Sequence, residues 1–235
     1  MFTVTRGVRV TRAARVNALL EVVPHTLSEQ AGITLADRPA PLFQLVVLAS
    51  LLAKPISGDV AVAAARELNR DGLTTPAKMR ASTWQHRVGV LGRAHYRRYD
   101  ESTATRLDQA AQLILERYRG DLRGLADAAG RDRRAAAALL QEIPGIGPAG
   151  AAIFLREVQT VWTWVAPYFD ERSIAGAKNL RLPTTPAALA RLTSEAGPAR
   201  LAAALVRADL DDAVVAEVST QSTAPPNEGN QHEHR

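Results

Sequence analysis

Apolar side chains recur along this chain at the spacing of helices that bury one face. In residues 102–118, for example, Leu107, Ala111 and Ile114 fall on the same side of a helix. Residues 42–53 are almost entirely apolar, which is typical of a helix buried on all sides. No segment shows a convincing alternation of the kind that marks a half-buried strand. The pattern predicts an all-α fold, with helices at 12–23, 42–53, 58–69, 76 onward, 83–91, 102–118, 121–129, 133–141, 148–157, 171–178, 186–196 and 198–207.

Two stretches interrupt this helical pattern. Residues 26–41 contain Gly32, Pro39 and Pro41, which predict a connector without regular structure. Residues 219–235 are mostly polar residues and proline, with too little apolar surface to pack against a core. We therefore expect a disordered tail over 219–235.

The composition supports helices and points to a polyanionic partner. Apolar residues make up 46% of the 235 residues and aromatic residues only 5%, a mixture that favours helices over sheets. The net charge is +5 and the isoelectric point about 10.1. A basic chain of this kind suits nucleic acid as a partner. A solvated basic surface without any partner fits the composition equally well.

The chain contains no cysteine, which excludes disulfides, thiolate zinc sites and iron–sulfur clusters. We expect no metal and no cofactor. The longest apolar run, 45–53, is too short to span a bilayer, and the N-terminus lacks the apolar core of a signal peptide. These features predict a cytoplasmic protein without membrane contact.

A Pro-Gly-Ile-Gly turn between two predicted helices is the most informative feature of the sequence. Its two glycines permit positive φ and a close approach of the backbone to a ligand. The free N–H groups that open the following helix form an anion site, and a DNA phosphate is the natural anion for a basic protein. The residues expected to contact DNA are Pro144, Gly145, Ile146, Gly147, Ala149 and Gly150.

The segment 143–147, Ile-Pro-Gly-Ile-Gly, resembles the helix-hairpin-helix motif of the endonuclease III-like DNA glycosylase superfamily. Two upstream segments are also similar to that family. Residues 41–46 resemble the Pro-Phe-x-Leu-Leu opening of its six-helix lobe, and residues 118–122 resemble its Tyr-x-Gly-x-Leu turn. The resemblance covers 42–183.

This resemblance implies two helical lobes with the active site in the cleft between them. It assigns 41–160, which ends in the hairpin, to the six-helix lobe. It assigns 1–40 and 161–218 to the second lobe, whose C-terminal part carries the catalytic aspartate.

The family carries that aspartate in a loop some two dozen residues after the hairpin, and Asp170 occupies the matching position. The resemblance implies that Asp170 stabilises positive charge on the sugar and orients the attacking water. The Val-Asp-Thr-His context of the family is replaced here by Phe-Asp-Glu-Arg, so Glu171 is the reserve candidate. A purely structural role for Asp170, capping the helix that follows, stays open.

Further site residues are expected around this loop. Aromatic residues before Asp170 are candidates for a wall that stacks a flipped base, with core positions as the alternative for the tryptophans. Arg172 is expected to contact a phosphate or to pair with Asp170. Lys54 falls where relatives carry a base-displacing side chain, although a surface lysine without a role fits as well. The aromatic candidates are Trp162, Trp164, Tyr168 and Phe169.

Relatives that also cleave the DNA strand carry a lysine two residues after the second glycine of the hairpin. Here that residue is Ala149. Because a Schiff base requires an amine, we expect no lyase activity. Lys54 or Lys178 would have to supply the amine instead.

Together these features predict a monofunctional DNA glycosylase of base excision repair that acts as a monomer on duplex DNA containing a damaged base. The first expectation for the base is an alkylated purine, which the enzyme flips out before hydrolysing its N-glycosidic bond. Helix-hairpin-helix turns also occur in ligases and polymerases. Two alternatives therefore remain: a non-catalytic helix-hairpin-helix module that binds DNA or lesions, and a helical interaction protein with a chance hairpin.

Overall fold

A computed structural model of the chain describes residues 10–193 and 197–223. Every regular element in these two ranges is helical, which confirms the predicted all-α fold. One short 3-10 helix spans Thr163–Val165. The α-helices are α1 Arg12–Val22, α2 Leu27–Gln30, α3 Pro39–Leu52, α4 Gly58–Arg70, α5 Pro76–Ala81, α6 Trp84–Arg93, α7 Asp100–Tyr118, α8 Arg123–Ala128, α9 Arg133–Gln141, α10 Pro148–Val158, α11 Glu171–Asn179, α12 Pro186–Ala190, α13 Gly197–Leu210 and α14 Asp212–Thr223.

Helix α3 lies at the centre of the larger of two hydrophobic cores. Leu42, Leu45 and Leu48 are completely buried, and the helix packs against both α4 and α10. This position explains why almost every residue of α3 is apolar, since no side of the helix faces bulk solvent. Residues of α4 to α10 complete the core around it.

The smaller core is formed by α1 and α11 to α14. Its tightest contact is between α11 and α13, where a Cβ added at Gly176 would lie 1.8 Å from the carbonyl oxygen of Leu205. The missing side chain at Gly176 therefore lets the two helices meet backbone to backbone. Val214 and Val218 of α14 are buried in the same core, next to α1.

A buried acid at the end of α10 ties this helix to α2. Glu157 is 1% exposed, and its carboxylate accepts hydrogen bonds from the backbone N–H of Ser28 at 2.9 Å and the Ser28 hydroxyl at 2.6 Å. The backbone N–H of Leu27 adds a third bond at 3.3 Å. These bonds compensate the desolvation of the charge and fix the start of α2 against α10.

The region predicted as an unstructured connector, 26–41, contains α2. Its N-terminus is a capping box, in which Thr26 and Glu29 each accept a hydrogen bond from the other residue's backbone N–H. The Thr-x-x-Glu signal was present in the sequence but was outweighed by the neighbouring glycine and prolines. Residues 27–35 pack against the larger core, whereas the resemblance assigns 1–40 to the second lobe.

The prediction of a disordered tail from residue 219 is wrong for 219–223, which form the end of α14. Val214 and Val218, four residues apart, hold this helix on the smaller core. Beyond Val218 the hydroxyls of Ser219 and Thr220 bond to the carbonyls four residues earlier, which satisfies the polar side chains within the helix. The remainder of the predicted tail, 224–235, lies outside the described residues.

The helix predicted at 186–196 is also shorter than expected, because α12 ends at Ala190. The Thr193 hydroxyl donates to the carbonyl of Ala190 at 2.6 Å and closes the turn that follows. Within 10–193 and 197–223, no helix is long and apolar enough to cross a membrane. The same ranges contain no group of His, Asp and Glu side chains suited to hold a metal ion.

Candidate functional site

The turn between α9 and α10 is a tight hairpin, stabilised by a backbone hydrogen bond and by two side chains buried beneath it. The N–H of Ile146 donates to the carbonyl of Ile143 at 2.9 Å, and both side chains are buried in the larger core. Gly145 has φ +93°, and a Cβ there would lie 2.8 Å from the Ser50 hydroxyl oxygen. The positive φ favours glycine at 145, and a Cβ there would also force the Ser50 hydroxyl to move.

Of the two glycines that permit positive φ, Gly147 does not adopt it. Gly147 is the N-cap residue of α10 with φ −98°, and a Cβ there would meet no atom within 4 Å. Its small size instead leaves the first turn of α10 open to a ligand. Gly150 lies closer to the core, where a Cβ would approach Ile146 to 3.3 Å and Ala53 to 3.6 Å.

A cavity of about 430 Å³ opens at this hairpin. It is lined by 141–149 and by three residues of other segments, Ala53, Lys54 and Arg106. Burial lowers the pKa of the Lys54 ammonium, and the positive charge of Arg106 lowers it further. Two like charges that face each other beside free helix N–H groups form a site in which an anion relieves the repulsion.

Lys54 therefore lies beside the hairpin itself, two residues after the end of α3. Arg106 was missed in the sequence because it occupies an ordinary solvent-facing position on the amphipathic helix α7. Only the fold shows that this part of α7 passes the turn, with the Arg106 side chain 3.5 Å from the position of a Gly145 Cβ. A count of charges along α7 gives no such signal.

Asp170 is the N-cap residue of α11, and its side chain is 9% exposed. One carboxylate oxygen, Oδ1, accepts hydrogen bonds from the backbone N–H of Ser173 at 3.0 Å and from the Ser173 hydroxyl. The other, Oδ2, accepts a hydrogen bond from Nη1 of Arg156 at 2.6 Å. The carboxylate is thus fixed by two helices, its own and α10.

The partner of Asp170 is Arg156, and not Arg172 as one of the two expectations had it. Arg172 is exposed and pairs with Asp209 at 3.2 Å. Arg156 is 2% exposed, and its Nε makes no hydrogen bond within the described part of the chain. Glu171, the reserve acid, is exposed in the first turn of α11.

Helix α10 connects the hairpin to this carboxylate. Pro148 opens the helix at the hairpin, and Arg156 lies in its last turn. Eight residues at about 1.5 Å each separate the two positions by about 12 Å along the axis. The Arg156 side chain then extends from this last turn to the Asp170 carboxylate.

The four aromatic residues expected to form one wall lie in different environments. Tyr168 is the member next to Asp170: burial raises the pKa of its phenol, and the charge of Asp170 raises it further. The Arg133 guanidinium lies 5.6 Å from the centre of the Tyr168 ring, and the Gln159 side chain holds the Tyr168 backbone. Phe169 faces the smaller core and is 6% exposed.

The two tryptophans belong to a different environment. Trp162 is buried against Phe154, and its ring N–H donates to the carboxylate of Asp37 at 2.9 Å. Trp164 stacks on Trp162 with ring centres 5.4 Å apart. Both line a second cavity on the larger lobe, so Trp162 fits the core position considered as the alternative.

Comparison with known proteins gives a limited picture. No family model matches the chain, and no curated protein matches it. Two solved structures are similar to it: a trapped endonuclease III–DNA covalent intermediate, the estranged-adenine complex, and a non-covalent endonuclease III–DNA complex. The first has a TM-score of 0.48 at 15% identity and the second 0.49 at 14%, each covering 82% of this chain and 81% of the other. Similarity at this level concerns the course of the backbone and assigns no activity.

Proposed function

We propose that this chain binds duplex DNA through its hairpin and releases a damaged base by hydrolysis of the N-glycosidic bond, with Asp170 as the essential carboxylate. One observation carries the proposal. The Asp170 carboxylate is bonded to Arg156 of α10, and the first turn of that helix forms an anion site with Lys54 and Arg106. Helix α10 thereby connects the proposed phosphate site to the Asp170 carboxylate.

The hairpin supplies the DNA grip. Backbone N–H groups at the start of α10 and the cations of Lys54 and Arg106 suit a phosphate, which carries no sequence information. Base extrusion costs a few kcal/mol and is least costly for a damaged or mispaired base. The base-displacing role that the sequence resemblance gives to Lys54 is the alternative to this phosphate contact.

Asp170 supplies the chemistry. Loss of the base builds positive charge on the sugar, and a preorganised carboxylate stabilises that charge. An ionised carboxylate has about four acceptor sites, of which Ser173 and Arg156 occupy three. The remaining site on Oδ2 is available to the sugar or to the attacking water. Water adds to the sugar carbon, and the base leaves with the bonding electrons and takes up a proton.

The residues at the hairpin also support base release without cleavage of the DNA strand. Ala149 is exposed at the position where an amine would form a Schiff base, so base release is proposed without strand cleavage. An alkylated purine is the proposed substrate, because the sequence resembles the aspartate-only branch of the family. Tyr168, beside Asp170, is the proposed contact for the flipped base.

One observation favours a second candidate, a DNA-binding protein without base release. Both oxygens of Asp170 already accept hydrogen bonds, and the residue caps α11, so a structural role alone accounts for its position. This alternative keeps the hairpin grip and removes the need for a free lone pair at Asp170. The two candidates differ in what Asp170→Asn changes.

The grip is tested by the salt dependence of duplex binding. Lys54→Gln together with Arg106→Gln is expected to weaken binding and to reduce the slope of log affinity against log salt by about 1.8, since each lost phosphate contact contributes about 0.9. Lys178→Gln with Arg191→Gln removes the same charge outside the hairpin cavity and is the matched control. Equal slopes of log affinity against log salt for the two double variants would show that the hairpin is not part of the DNA-binding site.

The chemistry is tested with duplexes that carry alkylated, oxidised, deaminated or mismatched bases, treated with hot alkali to reveal abasic sites. Asp170→Asn is expected to lower base release by the folded protein about 100-fold or more while duplex binding is retained, because asparagine still caps a helix but carries no charge. The variant also leaves the buried Arg156 without its anionic partner, so its unfolding midpoint is measured alongside. Asp209→Asn, which removes a partly buried carboxylate from α13 that pairs with the exposed Arg172, is the control and is expected to keep full activity.

Three other outcomes are decisive. Full activity of Asp170→Asn would overturn the assignment of the acid. Strand cleavage by the wild type without alkali would contradict the absence of lyase chemistry. Salt-sensitive binding with no release from any duplex would establish the second candidate.

A further inference from the structure

A second cavity, of about 710 Å³, lies at the end of α10 opposite to the hairpin. It is formed by the turn after α7, by α8 with the turn that follows it, and by 161–164 after α10. None of the residues that line the hairpin cavity lines this one. The proposed glycosylase function makes no use of it.

Only some of the charged side chains that line this cavity have a partner among the described residues. It is lined by three arginines and three aspartates, and Arg123 is tied to Asp121 at 2.6 Å. Asp37 accepts the ring N–H of Trp162. Arg119 and Arg131, by contrast, form no ion pair with any residue in 10–193 or 197–223.

The backbone at these two arginines is unusual. Arg119 has φ +54° and Arg131 has φ +56°, in the left-handed region that favours glycine. A non-glycine residue there costs about 1 kcal/mol or more. Glycine adopts this geometry without that cost, so a change to glycine removes each guanidinium group without straining its turn.

An aromatic surface borders the same cavity. Trp164 is half-buried and stacks on Trp162 at an interplanar angle of 21°. A planar ring that enters the cavity would meet the indole of Trp164. Asp127, which is exposed and also lines the cavity, presents a carboxylate to any N–H group on that ring.

We infer that this cavity binds a nucleoside monophosphate. Arg119 and Arg131 hold the phosphate with charge-assisted hydrogen bonds, and Trp164 contacts the base. Asp127 accepts a hydrogen bond from an amino group of the base. The three carboxylates oppose the additional negative charge of a triphosphate, which favours the monophosphate. Free nucleotide and the 5′-terminal nucleotide of a phosphorylated strand share this chemistry.

Titration of the full chain with deoxyadenosine 5′-monophosphate, followed by calorimetry and tryptophan fluorescence, tests the inference. The wild type is expected to bind the nucleotide at least about tenfold more tightly than deoxyadenosine or inorganic phosphate, because each of these lacks one half of the contacts. A 5′-phosphorylated single strand, compared with its 5′-hydroxyl form, distinguishes a strand end from a free nucleotide as the source.

The variants follow from the backbone. Arg119→Gly with Arg131→Gly is expected to weaken nucleotide binding at least about tenfold while the melting temperature stays equal or rises, since glycine relieves the left-handed strain. Arg181→Gly is the matched control, because Arg181 also has φ +54° but does not line this cavity. Its affinity is expected to remain within about twofold of wild type.

The result is decisive in either direction. If the wild type binds neither the nucleotide nor the phosphorylated strand, the inference is overturned. Equal affinity for inorganic phosphate and the nucleotide, or unchanged binding by the double glycine variant, would overturn it as well. None of these outcomes depends on whether the chain releases bases from DNA.

Discussion

Gly176→Ala is expected to destabilise the protein by about 3 kcal/mol or more, because the new Cβ would overlap the backbone of α13. That Cβ would lie 1.8 Å from the carbonyl oxygen of Leu205 and 3.2 Å from the backbone nitrogen of Asp209. Neither atom belongs to a flexible side chain, so the two helices must separate. Because α11 begins directly after Asp170, base release is expected to fall together with stability.

Thermal and urea unfolding measure this effect, and α6 provides the control. Gly89 lies inside α6, where a Cβ would meet no atom within 4 Å. Gly89→Ala is therefore expected to stabilise the chain by about 0.5–1 kcal/mol, through higher helix propensity and lower entropy of the unfolded chain. Similar unfolding midpoints for both variants would show that α11 and α13 tolerate separation.

Arg156→Met is expected to cost about 3–5 kcal/mol, because it leaves the Asp170 carboxylate nearly buried without its cationic partner. Methionine fills much of the volume of the arginine stem, so the loss reports on charge more than on packing. The two hydrogen bonds from Ser173 remain and keep α11 capped. Chemical denaturation at neutral pH gives the free energy of unfolding directly.

Arg172→Met is the matched comparison, since the Arg172–Asp209 pair lies at the surface with Arg172 61% exposed. A surface pair of this kind is worth at most about 1 kcal/mol. Adding Asp170→Asn to Arg156→Met is expected to recover part of the loss, because the orphaned charge disappears. Equal costs for Arg156→Met and Arg172→Met would contradict the role given to the buried pair.

The hairpin could be predicted from the sequence because its determinants are local. Gly145 lies in the turn with positive φ, and the neighbouring residues of the Pro-Gly-Ile-Gly sequence indicate that turn. Asp170 could be singled out by its position relative to that hairpin, although its N-cap role and the proposed catalytic role produce the same local pattern. The sequence therefore placed the acid but left its role undecided.

Arg156 could not be found in the same way. In the sequence it is a charged residue within an apolar helix, with nothing to say which distant group it meets. Its partner is set by how α10 and α11 each pack against α13, a property of the tertiary fold. Arg106 could not be found for the same reason, because its approach to the hairpin depends on how α7 packs against α5 and α6. Long-range charge pairs are not encoded in periodicity.

The consecutive buried charges Arg156 and Glu157 have a mechanical consequence. One anchors the loop that ends in Asp170 and the other anchors the start of α2, so the last turn of α10 is clamped from two sides. An eleven-residue helix transmits axial displacement with little bending. A displacement of α10 along its axis would therefore move both anchors together. We expect docking of a ligand at the hairpin to be coupled to the position of the Asp170 carboxylate through these two contacts.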